Sequence, residues 1–318
     1  MKQFIAYKAG RIDKVLTEEL KVSRNQVEKL IKDGLVSVNA QVIQKTSFKI
    51  LIEDEITYII KDAPKRKITD IDFDVEVLYE DDYLLVVNKP SGLVVHPALS
   101  VKEATLVDWL VKKGISLSTI SGEERHGIVH RIDKETTGAL VVAKSNKVHE
   151  ALSKQLQDKS MGRYYLALID CPLKEDVLIN KPIARNPKNR LQMAVIPEGK
   201  TAQTEFCKLL TSPKGIELIA AKLFTGRTHQ IRVHLNSLGR HILGDDLYGF
   251  KSKRDKIHRV NLHAYLLYLI HPITGDKMEF VAPLFDDMNE YLSKHFKQED
   301  IDEKINPLAL GDLFAFSK

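Results

Sequence analysis

The sequence predicts an α+β protein: a large domain built around a mixed, mostly antiparallel sheet, preceded by a small α/β module. Three observations carry this. Short β-like runs recur from Phe73 onward, helical runs such as Val148 to Asp158 fall between some of them, and the first sixty residues carry their own helix punctuation and hairpin pattern. At 318 residues the chain has material for one large and one small domain, and its 43% hydrophobic and 29% charged content is ordinary for a globular protein.

The N-terminal module, residues 1–61, opens with a short helix around Arg11 to Leu16. A second helix follows with clear signals: Ser23 to Gln26 fits a capping box, Val27, Leu30 and Ile31 form an apolar stripe, and Gly34 stops it. With that stripe inward, Arg24, Lys29 and Lys32 face solvent. Leu35 to Val38 and Val42 to Ile43 then read as two strands joined at Asn39 and Ala40. Residues 62–72 combine proline with consecutive charges and no apolar period, the mark of a linker.

In the large domain, residues 73–296, the strand-like runs are Phe73 to Tyr79, Tyr83 to Asn88, Leu140 to Ala143 and Tyr164 to Ile169. Ile128 and Val129, then Ala139 to Ala143, read as buried strands on either side of a loop, with Gly138 supplying a tight bend. The stretch Thr225 to His234 is ambiguous. Ile231, Val233 and Leu235 alternate as in a strand, whereas Ile231, Leu235 and Leu238 fit a helix ending at Gly239, and the glycine favours the helix. Residues 297–318 turn acidic and then apolar; docking onto the main domain is the plain expectation, with no role assigned.

A net charge of +5 and a pI near 8.9 permit a polyanionic partner without requiring one. Cys171 and Cys207 are far apart and lack metal-ligand spacing, so free buried thiols in a reducing compartment are expected. No apolar run is long enough to cross a bilayer, and Met1 to Lys8 lacks the core of a signal peptide, which together predict a cytoplasmic protein.

The most informative segment is His126 to Gly138, where Arg131 and Asp133 occupy a loop between two apolar stretches. An Arg-x-Asp triplet alone is more often a surface ion pair. Here the run His130-Arg131-Ile132-Asp133 followed by Thr136-Thr137-Gly138 closely resembles the catalytic motif of the RluA/RluD family of pseudouridine synthases. Further segments fall in that family's order: Asn88 to Leu93, His96-Pro97, Arg163 to Ala167, Lys200 to Thr204, Thr225 to His234, Ile242 to Gly249, Leu262 to Ala264 and His271-Pro272. The N-terminal module is similar to the S4 RNA-binding domain, departing at Ala40 where glycine is usual, which implies a strained or differently shaped turn.

The resemblance implies an RNA isomerase with Asp133 as the catalytic carboxylate, acting either as nucleophile at C1′ or as base at C2′. It implies that Arg131 helps hold the target nucleotide flipped, that Tyr165 stacks on the uracil, with Tyr164 structural, and that Arg232 pairs with Asp133. Arginine stands at position 163 where the family has lysine. The S4 contacts to RNA would come from Arg11, Ser23, Arg24, Lys29 and Lys32. No cofactor, metal or membrane is implied; His229 and His234 lack a third ligand. The expected partner is structured RNA, foremost large-subunit ribosomal RNA in the RluD-like subset, with transfer RNA the rival and a monomeric enzyme expected. A non-catalytic assembly factor is disfavoured by the intact Asp133, Tyr165 and Arg232. A glycosidase would want a second, opposed carboxylate.

Overall fold

The computed structural model describes residues 2–20, 22, 24–59, 70–98, 101–120, 126–251 and 257–314. Ser23 and most of the expected linker lie outside these. The chain divides into two compact units, Met1–Ile71 with Thr119–His126, and Asp72–Ser118 with Gly127–Lys318. This differs from a single boundary near residue 72 by assigning Thr119–His126 to the first unit. Among the described residues, no helix is long and apolar enough to cross a membrane.

In the first unit, β1 (Lys2–Ile5), β2 (Gly10–Arg11), α1 (Ile12–Leu20), α2 (Arg24–Lys32), β3 (Val36–Val38), β4 (Gln41–Val42), β5 (Lys49–Ile50) and β6 (Glu55–Tyr58) follow in order. Strands β1, β6, β3 and β4 form an antiparallel sheet in that order, and β2 pairs with β5. Helical spacing places Ile12, Val15 and Leu16 of α1 and Val27 and Ile31 of α2 in one core with Val36, Val38 and Ile56. Arg24, Lys29 and Lys32 are exposed, as the stripe requires. The β3–β4 turn has positive φ at both Asn39 (48°) and Ala40 (66°), the pattern of a type I′ hairpin. Alanine therefore sits in the left-handed region, at a cost of roughly 1–2 kcal/mol. Asn39 anchors the turn by donating to Asp54 Oδ1 at 2.8 Å and accepting from the Glu55 amide at 2.9 Å.

The second unit begins with β7 (Glu76–Glu80), β8 (Leu84–Lys89), α3 (Leu106–Lys112), β9 (Thr137–Ala143), α4 (Asn146–Asp158) and β10 (Gly162–Asp170). Next come β11 (Val177–Asn180), β12 (Ile183–Arg185), β13 (Met193–Val195), β14 (Gln203–Thr211), β15 (Ile216–Leu223) and α5 (Gln230–Asn236). It ends with β16 (Leu262–Ile270), β17 (Lys277–Val281), α6 (Asp286–His295), α7 (Gln298–Lys304) and α8 (Pro307–Leu313). Among the described residues, nine strands make one sheet ordered β11-β14-β15-β10-β16-β9-β8-β7, with β17 also on β16. Every pairing in it is antiparallel except β16 with β9. The central strands β10 and β16 are buried almost throughout, because both faces are covered. Leu267 and Leu269 of β16 join a cluster with α4, whereas Leu266 and Tyr268 join the opposite cluster. That second cluster also takes in Met288 and Leu292 of α6, Ile301 of α7, Leu310 of α8 and Phe314. The C-terminal residues thus pack into the core, and Phe314 stacks on Tyr164 with ring centroids 4.9 Å apart.

Several expectations change. Gly138 is not a bend but a residue inside β9, with φ +111°, directly opposite Ala264 of the parallel strand β16; a Cβ there would stand 2.3 Å from the Ala264 oxygen. Close backbone approach is what requires glycine. Ile128 and Val129 do not form a strand, since Ile128 makes only an isolated bridge to Val142. The first strand of the unit starts at Glu76 rather than Phe73. Cys207 is buried, but Cys171 is exposed in a turn with φ +49° just after β10.

Candidate active site

The segment from His130 to Thr136 enters β9 through a tight turn in which the Thr136 amide donates to the Asp133 carbonyl at 3.1 Å. Residues 89–92 clamp this turn. The Gly92 amide donates to the Lys134 carbonyl at 3.0 Å, and Ser91 Oγ to the Glu135 carbonyl at 3.1 Å. Lys89, fully buried, points Nζ at three carbonyls, of Pro90 (2.7 Å), Leu93 (2.9 Å) and Lys134 (3.1 Å). Burial pushes its ammonium down to about 7, with Asp133 and Glu135 opposing the shift. The Lys89 nitrogen thus stands behind the turn that carries Asp133, whose side chain keeps 19% of its exposure.

Helix α5 presents Arg232 to this carboxylate. The guanidinium forks onto Asp245, with Nε to Oδ2 and Nη2 to Oδ1 both at 2.7 Å, which leaves Nη1 facing Asp133 Oδ2 at 3.6 Å. Burial works against its charge, but the hydrogen bonds to Asp245 and the fields of Asp245 and Asp133 outweigh it and hold the group up. Tyr248 lies under the guanidinium, 4.9 Å from its ring centroid, and bonds His229 Nδ1 through its hydroxyl at 2.8 Å. Burial pushes that phenol up to about 12. His229 starts α5 with φ +56° and brings Nε2 to 4.0 Å from Asp133; burial lowers its pKa although Asp133 opposes this.

Tyr165 projects from β10 into the same place, only 3% exposed, its hydroxyl raised by burial. Tyr164 belongs to the core on the other side. Asp133, Arg131, Tyr165 and Arg232 all line one cavity of about 500 Å³, a size that takes a nucleoside. Arg131 is the exposed member. Among the described residues Asp133 is the one carboxylate lining it, against Arg131, Lys159, Arg163, Lys222, Arg227 and Arg232. Such a site can draw in an anionic ligand and offer one oriented carboxylate to an electron-poor centre.

Over 304 residues the chain is 48% identical to an uncharacterized RNA pseudouridine synthase of Helicobacter pylori, covering 93% of each chain. The chain belongs to the RNA pseudouridine synthase family. Residues 83–237 of this synthase match the RNA pseudouridylate synthase profile, and residues 10–56 match the S4 domain. It is also 40% identical over 291 residues to the ribosomal large subunit pseudouridine synthase D of Zymomonas mobilis, covering 87% of this chain and 91% of that one. In fold it is similar to human RNA pseudouridylate synthase domain containing 1, with a TM-score of 0.52, 24% identity, and coverage of 70% and 94%.

In the S4 domain of the synthase, Arg11 and Arg24 converge on the fully buried Asp13. Arg11 forks onto it at 3.0 and 2.8 Å, and Arg24 reaches Oδ2 at 3.2 Å. Both arginines stay partly exposed while holding α1 and α2 together; Lys29 is exposed in the same helix, and Lys32 lies 3.8 Å from Glu28. Sequence reasoning missed Asp245, Tyr248 and Lys89 as parts of the synthase site. Each lay inside a segment recognised as matching the family, but only its order along the chain was used.

Proposed function

We propose that this synthase isomerises uridines of large-subunit ribosomal RNA, with Asp133 acting on the sugar of a flipped uridine. The observation that carries the reading is Asp133, among the described residues the one carboxylate lining the cavity, anchored by its turn and 3.6 Å from a buried arginine, in a cavity otherwise rich in cations. The N1–C1′ bond breaks, a C5–C1′ bond forms, and the proton at C5 leaves while one returns to N1. The change is redox-neutral. Tyr165 packs on the uracil from the floor of the cavity, and Arg131, at its exposed edge, holds the nucleotide out of its stack. Arg232 faces Asp133 as a fixed cation. Arg11, Arg24, Lys29 and Lys32 supply phosphate contacts from the S4 domain. The assignment of large-subunit RNA is supported by relatives at 40% and 42% identity that carry that substrate in their names.

The test is site-resolved pseudouridine mapping of total RNA from cells lacking the protein, restored with either the native chain or Asp133→Asn. Pseudouridine lost from large-subunit RNA and recovered only with native Asp133 is the expected outcome. Loss confined to transfer RNA removes the substrate assignment, and full recovery with Asp133→Asn removes the aspartate.

A further inference from the structure

Arg163 is a cavity residue for which the isomerisation above has no use. It stands two residues before Tyr165 in β10, and both line the cavity, about 7 Å apart along the strand. The residue is only 8% exposed, and among the described residues its guanidinium meets a histidine rather than a carboxylate. Nη1 lies 2.6 Å from His130 Nδ1, Nε is buried without any partner, and Nη2 is turned toward Gly226 in the cavity wall, 3.9 Å from where a Cβ would stand.

The contact with His130 is itself contested. His130 Nε2 faces the Val141 amide, which donates to it at 3.2 Å. A neutral imidazole has one nitrogen with a free lone pair, so it cannot accept from both the amide and the arginine. Burial and the adjacent Arg163 lower its pKa well below the ordinary histidine range, so the ring does not gain a proton to rearrange this. Of five N–H groups, Arg163 thus has at most one protein acceptor among the described residues, and that one is shared. A buried guanidinium so poorly answered is costly unless a ligand brings the missing acceptors. Lys159, Lys222 and Arg227 line the same cavity, so the ligand atoms that gather there are anionic. The planar fork suits two oxygens of a tetrahedral anion.

We propose that Arg163 binds a phosphodiester group flanking the uridine under isomerisation. This inference rests on the reading of the cavity as the uridine site. It makes Arg163 a substrate-positioning residue, and it accounts for a buried arginine at this point of β10.

The test measures binding of a uridine-containing RNA oligonucleotide across a salt series, with native RNA and with RNAs carrying one neutral methylphosphonate at each linkage in turn. The protein is compared with Arg163→Gln and Arg163→Lys. Arg163→Gln is expected to weaken native RNA by about 10-fold or more and to lower the salt slope by about one. It should have almost no further effect on the RNA whose neutral linkage is the one Arg163 contacts. Arg163→Lys, which keeps the charge but not the fork, should retain the slope and recover part of the affinity. An unchanged slope in Arg163→Gln, or equal losses on every methylphosphonate RNA, overturns the proposal. That result would leave Arg163 as a support for His130 only. If Arg163→Lys is folded by its thermal transition and still loses the slope, the proposal falls as well. Isomerisation by Asp133→Asn is read separately. Its persistence would sink the uridine-site reading while a surviving phosphate coupling stands, and the reverse pattern would sink only this inference.

Discussion

Asp245 decides how Arg232 addresses Asp133, and Asp245→Asn is the perturbation that isolates it. The pair is buried, with the arginine 7% and the aspartate 1% exposed, and its two hydrogen bonds are both 2.7 Å. Removing one charge strips the other, still desolvated, of its two short charge-assisted bonds, a loss of about 3–5 kcal/mol. Asparagine still accepts from the Tyr248 amide, so the 3₁₀ turn Asp246–Tyr248 keeps its cap and the loss reports the ion pair. The chain's one tryptophan, Trp109, sits in α3 at 3% exposure, so its fluorescence during urea unfolding reports the second unit. Arg232→Met should cost a similar amount. The double variant should be less destabilised than the sum of the two by about 2–3 kcal/mol, because neither charge is then stranded. In Asp245→Asn the guanidinium, now 3.6 Å from Asp133, needs to shift by only about 1 Å to bond it directly. A carboxylate bonded that way is both displaced and masked, so single-turnover isomerisation should slow by roughly 100-fold with RNA affinity little changed. A cost below about 1 kcal/mol, or strict additivity in the double variant, would refute the argument from burial. An unchanged rate would refute the claim that Asp245 governs the approach of Arg232.

Two further outcomes test the frame around the site. His263 is buried between strands, with Nδ1 2.8 Å from the Thr137 hydroxyl and Nε2 donating to the Ala282 carbonyl at 3.0 Å, and burial lowers its pKa to about 4 although that carbonyl opposes the shift. A base with a depressed folded-state pKa is neutral when native, so its contribution is intact above the unfolded value near 6.5. It is lost as pH falls from there to about 4, amounting to roughly 2 kcal/mol by pH 5. Urea midpoints at pH 7 and pH 5 should therefore drop more for the native chain than for His263→Gln, and parallel drops would contradict the burial argument. Gly138→Ala would place a Cβ 2.3 Å from the Ala264 oxygen at φ +111°, so it should cost about 3 kcal/mol or more, read as a fall in thermal midpoint. A fall equivalent to less than about 1 kcal/mol would mean that β9 and β16 do not approach so closely.

What the sequence revealed and what it hid divide along contact range. The continuous apolar run Leu84 to Val87 and the stripe of Val27 and Ile31 are local, so they locate β8 and α2 without any knowledge of partners. The helix at Gln230–Asn236 was decided by Gly239, which has φ +67°. Gly138 misled for the opposite reason. A glycine reads as a bend when only its neighbours are known, and the partner that excludes a side chain is Ala264, distant in sequence. Docking of the C-terminal stretch was expected from its apolar residues, but its partner was not legible, since Phe314 stacks on Tyr164, 150 positions away. Arg232 was expected against Asp133 and does face it, but its fork is committed to Asp245 across a turn, a competition that spacing cannot express.

That competition bears on how the proposed chemistry is arranged. A carboxylate that must act on a sugar cannot already be bonded by its counter-ion, yet without a cation nearby it would stand alone in a half-buried cavity. Dividing Arg232 between two aspartates meets both demands. Asp245 takes the two short hydrogen bonds and fixes the guanidinium, Tyr248 fixes its plane, and Asp133 experiences the charge at 3.6 Å without a hydrogen bond from Arg232. Lys89 acts from the other side in a similar way: its Nζ reaches the Lys134 carbonyl and two others rather than the carboxylate, so it braces the turn without occupying the oxygens of Asp133. The cations nearest the acid are thus held by partners other than the acid. Arg163 follows the same rule with a different partner, since the oxygens proposed to answer it arrive with the RNA.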